Sequence, residues 1–105
     1  MIRDRNAADD DAIRRLNDQA FVGTYESKLI EDLRAAHLAA IELVAVDRTT
    51  IVGHILLSNL AVTFGDRLMR ALALAPMAVE PGRQRRGIGS ALVRAGLERA
   101  PTDGW

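Results

Sequence analysis

Between residues 41 and 79 the chain carries three apolar runs, IELVAVD at 41–47, IVGHILLSNLAV at 51–62 and Leu68 to Val79, separated by only two short polar breaks. This spacing constrains the fold more than any other feature. Breaks as short as Asp47-Arg48-Thr49-Thr50 and Phe64-Gly65-Asp66-Arg67 fit tight hairpin turns, so the three runs read as three successive antiparallel strands.

What surrounds these strands has a different period. Ile2-Arg3-Asp4-Arg5 reads as a short first strand, and Asn6 with Asp9 three residues on resembles an N-cap followed by a carboxylate at N3. Ile13, Leu16 and Ala20 then recur at i, i+3 and i+7 and mark a helix ending near Phe21-Val22-Gly23. Thr24 reads as the cap of a second helix, with Leu29, Ile30, Leu33 and Ala36 inward and Glu26, Lys28, Glu31 and Arg34 facing water. His37 closes it. A last helix runs from about Gly87 to Ala100, with Ile88, Ala91, Leu92, Ala95 and Gly96 on its apolar side and Pro101 ending it. The acidic run Asp9-Asp10-Asp11 suits a helix N-terminus, where carboxylates favour the macrodipole. The expected order is therefore strand, two helices, three strands, helix, an α+β chain in three layers around a mainly antiparallel sheet, in a single domain spanning 1–105.

Composition narrows the function classes. The 105 residues include no cysteine, which excludes disulfides, thiolate nucleophiles and zinc-thiolate sites and fits a cytoplasmic protein. No metal site is expected. Lys+Arg and Asp+Glu both number 14, and with only four aromatic residues (Phe21, Tyr25, Phe64 and Trp105) the chain lacks the signature of a nucleic-acid surface. No apolar run reaches the roughly 18 residues of a membrane span, so no membrane partner is expected.

The stretch with chemistry in it is RQRRGIGSAL, residues 83–92. The first N–H groups of a helix lack partners within it, and the macrodipole adds roughly half a positive charge there, so a phosphate is well accommodated. Gly87 and Gly89 allow close approach and unusual dihedrals, and Arg85 and Arg86 add positive charge. A Walker loop is absent because Gly89 is followed by Ser90-Ala91 rather than by Lys and Ser or Thr. The dinucleotide fingerprint is absent because Leu92 stands where a third Gly or Ala is required.

Gln84-Arg85-Arg86-Gly87-Ile88-Gly89 does satisfy another pattern: Gln or Arg, two residues, Gly, one residue, then Gly or Ala. With it, LALAPMAVEPGRQRRGIGSALVRAGLERA resembles the acetyl-CoA-binding segment of the GNAT superfamily of N-acetyltransferases, and LVAVDRTTIVGHILLS resembles the first half of the same fold. The resemblance covers essentially the whole chain and implies a GNAT-like acyl-CoA N-acyltransferase fold, β1-α1-α2-β2-β3-β4-α3, truncated at its C-terminal side. It implies that loop amides of Arg85, Arg86, Gly87, Gly89 and Ser90, beside Gln84, hold the pyrophosphate of acetyl-CoA as cosubstrate. It also implies that the strand carrying Met77 and Val79 pairs with the pantetheine arm, Pro76 marking a bulge that opens its edge. The implied activity is acetyl transfer to a primary amine by direct attack.

The residues that would move protons are not assigned by this resemblance. LMRALALAPMAV contains no carboxylate, and Tyr25 lies too early to match the tyrosine of the family's second half. His54 is the remaining candidate base, with a plain strand histidine facing away from Gly53 and Ile55 as the alternative. Glu80 reads as solvated. The acceptor amine is not legible. Because the strand ending at Val79 would keep an open edge, the chain is expected to form a homodimer or to meet a partner that completes the sheet. The alternative to an enzyme is a non-catalytic acyl-CoA-binding or interaction module.

Overall fold

Both polar breaks close as turns whose leading residues take left-handed backbone, Arg48 at φ 58° and Gly65 at φ 64°. That conformation matches the right-handed twist of the strands it joins. In the computed structural model, which describes Met1–Trp105, these turns link β2 (Ala39–Asp47), β3 (Thr50–Phe64) and β4 (Arg67–Val79). β1 (Ile2–Asp4) pairs with β2, giving one sheet of order β1-β2-β3-β4, antiparallel throughout. Helices α1 (Asp10–Phe21) and α2 (Tyr25–Ala35) precede β2, and α3 (Ile88–Thr102) follows β4. No helix is long and apolar enough to cross a membrane.

Strand alternation divides the core in two. Ile41, Leu43, Ala45, Ile55 and Leu57 form one buried cluster with Leu92 of α3. Val44 and Leu56 point the other way and pack with Ile13 of α1 and Ile30 of α2. The α3 layer is tight because glycines permit it. A β-carbon on Gly53 would stand 2.9 Å from Leu92 Cδ1, and one on Gly96 would stand 2.8 Å from Leu57 Cδ1.

Several expectations change in detail. The Asn6 and Asp9 capping box is present, but it opens a 3-10 turn over Ala7–Asp9 before α1 begins. Thr24 stands at the N-cap of α2 without a side-chain cap bond. Ala36 is exposed because it is the C-cap, and His37 takes left-handed backbone at φ 58° just beyond it. Pro101 lies inside the final turn of α3 rather than beyond it; the helix continues past it through bonds from Asp103 N–H to the carbonyls of Arg99 and Ala100. The run Asp9-Asp10-Asp11 serves more than the helix dipole. Asp9 is buried and accepts both guanidinium nitrogens of Arg3 at 2.8 and 3.0 Å, while Asp10 accepts Arg5, so ion pairs tie β1 to the 3-10 turn and the residue after β1 to the start of α1.

Candidate coenzyme site

At the end of β4 the pairing with β3 slips between Ile55 and Leu57, leaving Ala75 and Pro76 opposite the irregularity. Pro76 thus sits at a bulge, where a residue without an N–H costs the ladder least. Beyond it Met77 and Val79 run out toward a 3-10 turn at Pro81–Arg83 and the loop that starts α3. β4 has β3 on one side and no strand of this chain on the other.

The loop is built from alternating backbone handedness. Arg85 takes φ 65° and Gly87 takes φ 81°, both left-handed. For Gly87 this costs little; for Arg85, which carries a β-carbon, it is a strained conformation of the sort found at ligand-binding loops. Gly87 is the N-cap of α3, and the first backbone bond of the helix runs from Ala91 N–H to the Gly87 carbonyl. The amides of Gly87, Ile88, Gly89 and Ser90 therefore have no acceptor within the chain. Four unpaired donors converging at the positive end of a helix form an anion cradle.

A cleft of about 830 Å³ opens on this cradle. Its wall includes Met77, Val79, Gln84, Arg85, Gly87, Gly89 and Ser90, so the structure brings together seven of the eight residues expected from the sequence. Arg86 is the exception: it is exposed and does not line the cleft, although it is adjacent in sequence to two residues that do. Gly89 also differs from expectation. Its backbone is helical, and its missing β-carbon faces the strand, where it would meet Met77 Cε at 3.2 Å and Val79 Cγ2 at 3.7 Å. Gly89 thus sets how closely α3 lies against β4. Gln84 ties the loop back to the strand by donating from Nε2 to the Val79 carbonyl at 3.2 Å.

Sequence reasoning missed the floor of this cleft and misjudged its charge. Ile88, Val93, Arg94, Leu97 and Glu98 complete the wall. From Ser90 the positions i+3, i+4 and i+7 are Val93, Arg94 and Leu97, a helical stripe that the periodicity could have supplied. Arg83 lines the cleft too, but its charge is already matched by Asp47 at 2.5 Å and Glu80 at 3.2 Å. Those carboxylates hold the Arg83 guanidinium above its ordinary pKa, the Asp47 hydrogen bond contributing most. Glu80 is accordingly an ion-pair partner rather than a freely solvated carboxylate. Arg85 and Arg94 make no salt bridge.

His54 is not brought to this cleft. It is fully buried between the sheet and the α1/α2 layer, where Nε2 lies 2.7 Å from Glu42 Oε2 and Nδ1 lies 3.4 Å from Asn17 Nδ2. Asn17 Nδ2 also donates to the Ile13 carbonyl, so the amide nitrogen faces the ring and Nδ1 acts as acceptor. Nε2 is the donor to Glu42. Arg34, read from the sequence as water-facing, turns inward and donates to the same carboxylate at 2.5 and 3.0 Å. Burial pushes the Glu42 carboxyl upward, but the hydrogen bonds from His54 and Arg34 outweigh it and hold it at about 2. Both ring nitrogens of His54 are thus engaged, the ring has no solvent access, and the residue lies apart from the cleft.

The fold and this site together define an α+β protein in which an open strand edge and a helix N-terminus border one cleft. A family model described as acetyltransferase (GNAT) domain matches residues 1–105, and the chain belongs to that family. Among solved structures it is similar to a GNAT family acetyltransferase from Brucella melitensis in complex with acetyl-CoA, at 31% identity and a TM-score of 0.90, covering 99% of this chain and 70% of that one. It is also similar to a GNAT family N-acetyltransferase from Escherichia coli in complex with CoA, at 27% identity and a TM-score of 0.91, covering 100% of this chain and 58% of that one. An aminoglycoside 6'-N-acetyltransferase from Acinetobacter haemolyticus, at 18% identity and a TM-score of 0.73, shares the fold. A search of the curated proteins finds no significant match.

Proposed function

We propose that the chain binds acetyl-CoA in the cleft between β4 and α3 and that the protein transfers the acetyl group to a primary amine. The observation that carries this reading is the set of four partnerless amides, Gly87 to Ser90, opening on one cleft with the free guanidinium of Arg85 and the edge of β4. Those amides, with Gln84 and Arg85, hold the pyrophosphate. Met77 and Val79 present β4 backbone to the amide-bearing pantetheine arm, as an added strand would pair. The two relatives crystallised with acetyl-CoA or CoA support the coenzyme's identity.

The bound thioester supplies an activated acyl carbon. An amine nitrogen attacks it, the carbon–sulfur bond breaks, the amine gives up one proton and the coenzyme thiolate takes one up. Backbone amides along β4 suit polarisation of the thioester carbonyl. A second reading, a non-catalytic acyl-CoA-binding module, is favoured by one observation: the only carboxylate in the cleft wall is Glu98, nine residues along α3 from Gly89 and so about 13 Å away at 1.5 Å per residue. Neither histidine lines that wall. We also propose that the outer edge of β4 before Pro76, the part not assigned to the pantetheine arm, supports homo-oligomer formation, because an open strand edge offers a row of unpaired amides and carbonyls to another strand.

Calorimetric titration with acetyl-CoA tests the coenzyme assignment. The expected result is saturable binding, abolished by Gly89→Glu, whose side chain would press on Met77 and Val79, shift the first turn of α3 off β4 and add a negative charge beside the cradle. A folded chain that takes up no acetyl-CoA overturns the assignment. Transfer to a panel of primary amines, followed by thiol release, separates the enzyme from the binding module.

A further inference from the structure

The charge of the cleft is not spent at its mouth. Arg83 is neutralised by Asp47 and Glu80, and Arg86 stands outside the wall. The cations left facing the cleft without a carboxylate partner are Arg85, in the loop, and Arg94, on α3. Arg94 follows Ser90 by four residues, so the two share a helix face and lie one turn, about 6 Å, apart along the axis. Ser90 carries the last of the free amides, and Val93 and Leu97 flank Arg94 in the same wall. The wall thus has two sources of uncompensated positive charge: the cradle of amides with Arg85, and Arg94 one turn along α3.

Coenzyme A has two separated anionic groups to match, the pyrophosphate and the phosphate on its ribose. We infer that Arg94 binds the ribose 3'-phosphate and so makes this site selective for CoA thioesters over thioesters lacking that phosphate. This rests on the coenzyme reading above. A guanidinium suits the task because its forked donors meet a phosphate two at a time and remain charged at every working pH. Glu98, a further turn along α3 and in the same wall, disfavours any anion beyond that point and limits where the phosphate can sit.

The test compares CoA with 3'-dephospho-CoA by calorimetry on the chain and on its Arg94→Gln and Arg94→Lys variants. The chain is expected to bind CoA about tenfold more tightly than the dephospho form, the ratio that one charge-assisted contact supports. Arg94→Gln should bring that ratio to about one while leaving dephospho-CoA binding unchanged, and Arg94→Lys should restore part of it. If the chain binds both ligands equally, or if the preference survives Arg94→Gln, the inference fails and the coenzyme reading stands. If neither ligand binds the folded chain, the coenzyme reading itself fails and takes the inference with it.

Discussion

The buried carboxylate Glu42 gives this fold an acid transition whose size can be worked out in advance. Its side chain is 8% exposed and accepts Arg34 and His54, which together hold it at about 2 against an ordinary value near 4.5. A group whose pKa is depressed on folding adds stability above its unfolded pKa and loses it as pH falls toward the folded one. The contribution is therefore complete above about pH 4.5 and vanishes near pH 2. At about 1.4 kcal/mol per pH unit this is roughly 3 kcal/mol, which we reduce to about 2 kcal/mol for residual contact with water. Glu42→Gln removes the titration and keeps the shape. Urea denaturation of both proteins between neutral pH and about pH 2 should show the original chain ahead by about 2 kcal/mol at neutrality. That lead should shrink as the pH falls below 4.5. Other acidic groups, Asp9 among them, affect both curves equally and cancel in the difference. A lead that stays constant down to pH 2 would falsify the assignment of Glu42 as an ionised anchor.

Three further outcomes follow from the α3 side of the sheet. Gly96→Val should destabilise by about 1–3 kcal/mol, because its β-carbon would fall 2.8 Å from Leu57 Cδ1 in a packed core; an unchanged denaturation midpoint contradicts the packing described. At Gly87 a β-carbon meets nothing within 4 Å, so Gly87→Ala should cost only about 1 kcal/mol, from the left-handed backbone at φ 81°. Acetyl-CoA affinity should fall with it, and calorimetry finding no loss would separate the loop's conformation from binding. Sedimentation at rising concentration should show dimers, and replacing Leu74 of β4 with Lys should shift them toward monomer; a chain that sediments as monomer throughout counts against pairing through this edge.

Periodicity carried most of this architecture into view. The sheet was legible because two four-residue breaks admit little except hairpins, and α3 was legible because Ile88, Leu92 and Gly96 recur along one face. The polar layer under α1 and α2 was not. Alternation puts Glu42 and Val44 of β2 on the same face as His54 of β3, but it does not say which helix residues cross above them. Asn17 and Arg34 look like ordinary surface positions in sequence, and only the packing of two helices on the sheet turns them inward. A lone histidine on an apolar strand reads more readily as a plain strand residue than as a base, and the sequence does not reveal that its ring meets the carboxylate 12 residues earlier. The cationic loop failed in the opposite way. Adjacency suggested that Arg85 and Arg86 act together, whereas only Arg85 lines the cleft, and Arg83, which also lines it, is already claimed by two carboxylates.

The two faces of the sheet therefore carry different duties, and the division explains where small residues are required. On the α1/α2 side, the apolar cluster of Ile13, Ile30, Val44 and Leu56 is joined by long polar side chains whose hydrogen bonds fix position, so that Arg34, Glu42, His54 and Asn17 form one connected set. On the α3 side, contacts are made by absence of side chain: Gly53 and Gly96 let the helix down onto β3, and Gly89 lets its first turn down onto Met77 of β4. The second arrangement suits a binding site better. A cradle of backbone amides is only as well placed as the helix that presents them, and a helix seated against strands through glycine has little room to shift. Met77 lies against the space that a side chain at Gly89 would fill, and both residues line the cleft, so the strand edge and the amide cradle adjoin at a spacing that Gly89 permits. A ligand that must pair with a strand at one end and seat a phosphate at the other requires that spacing.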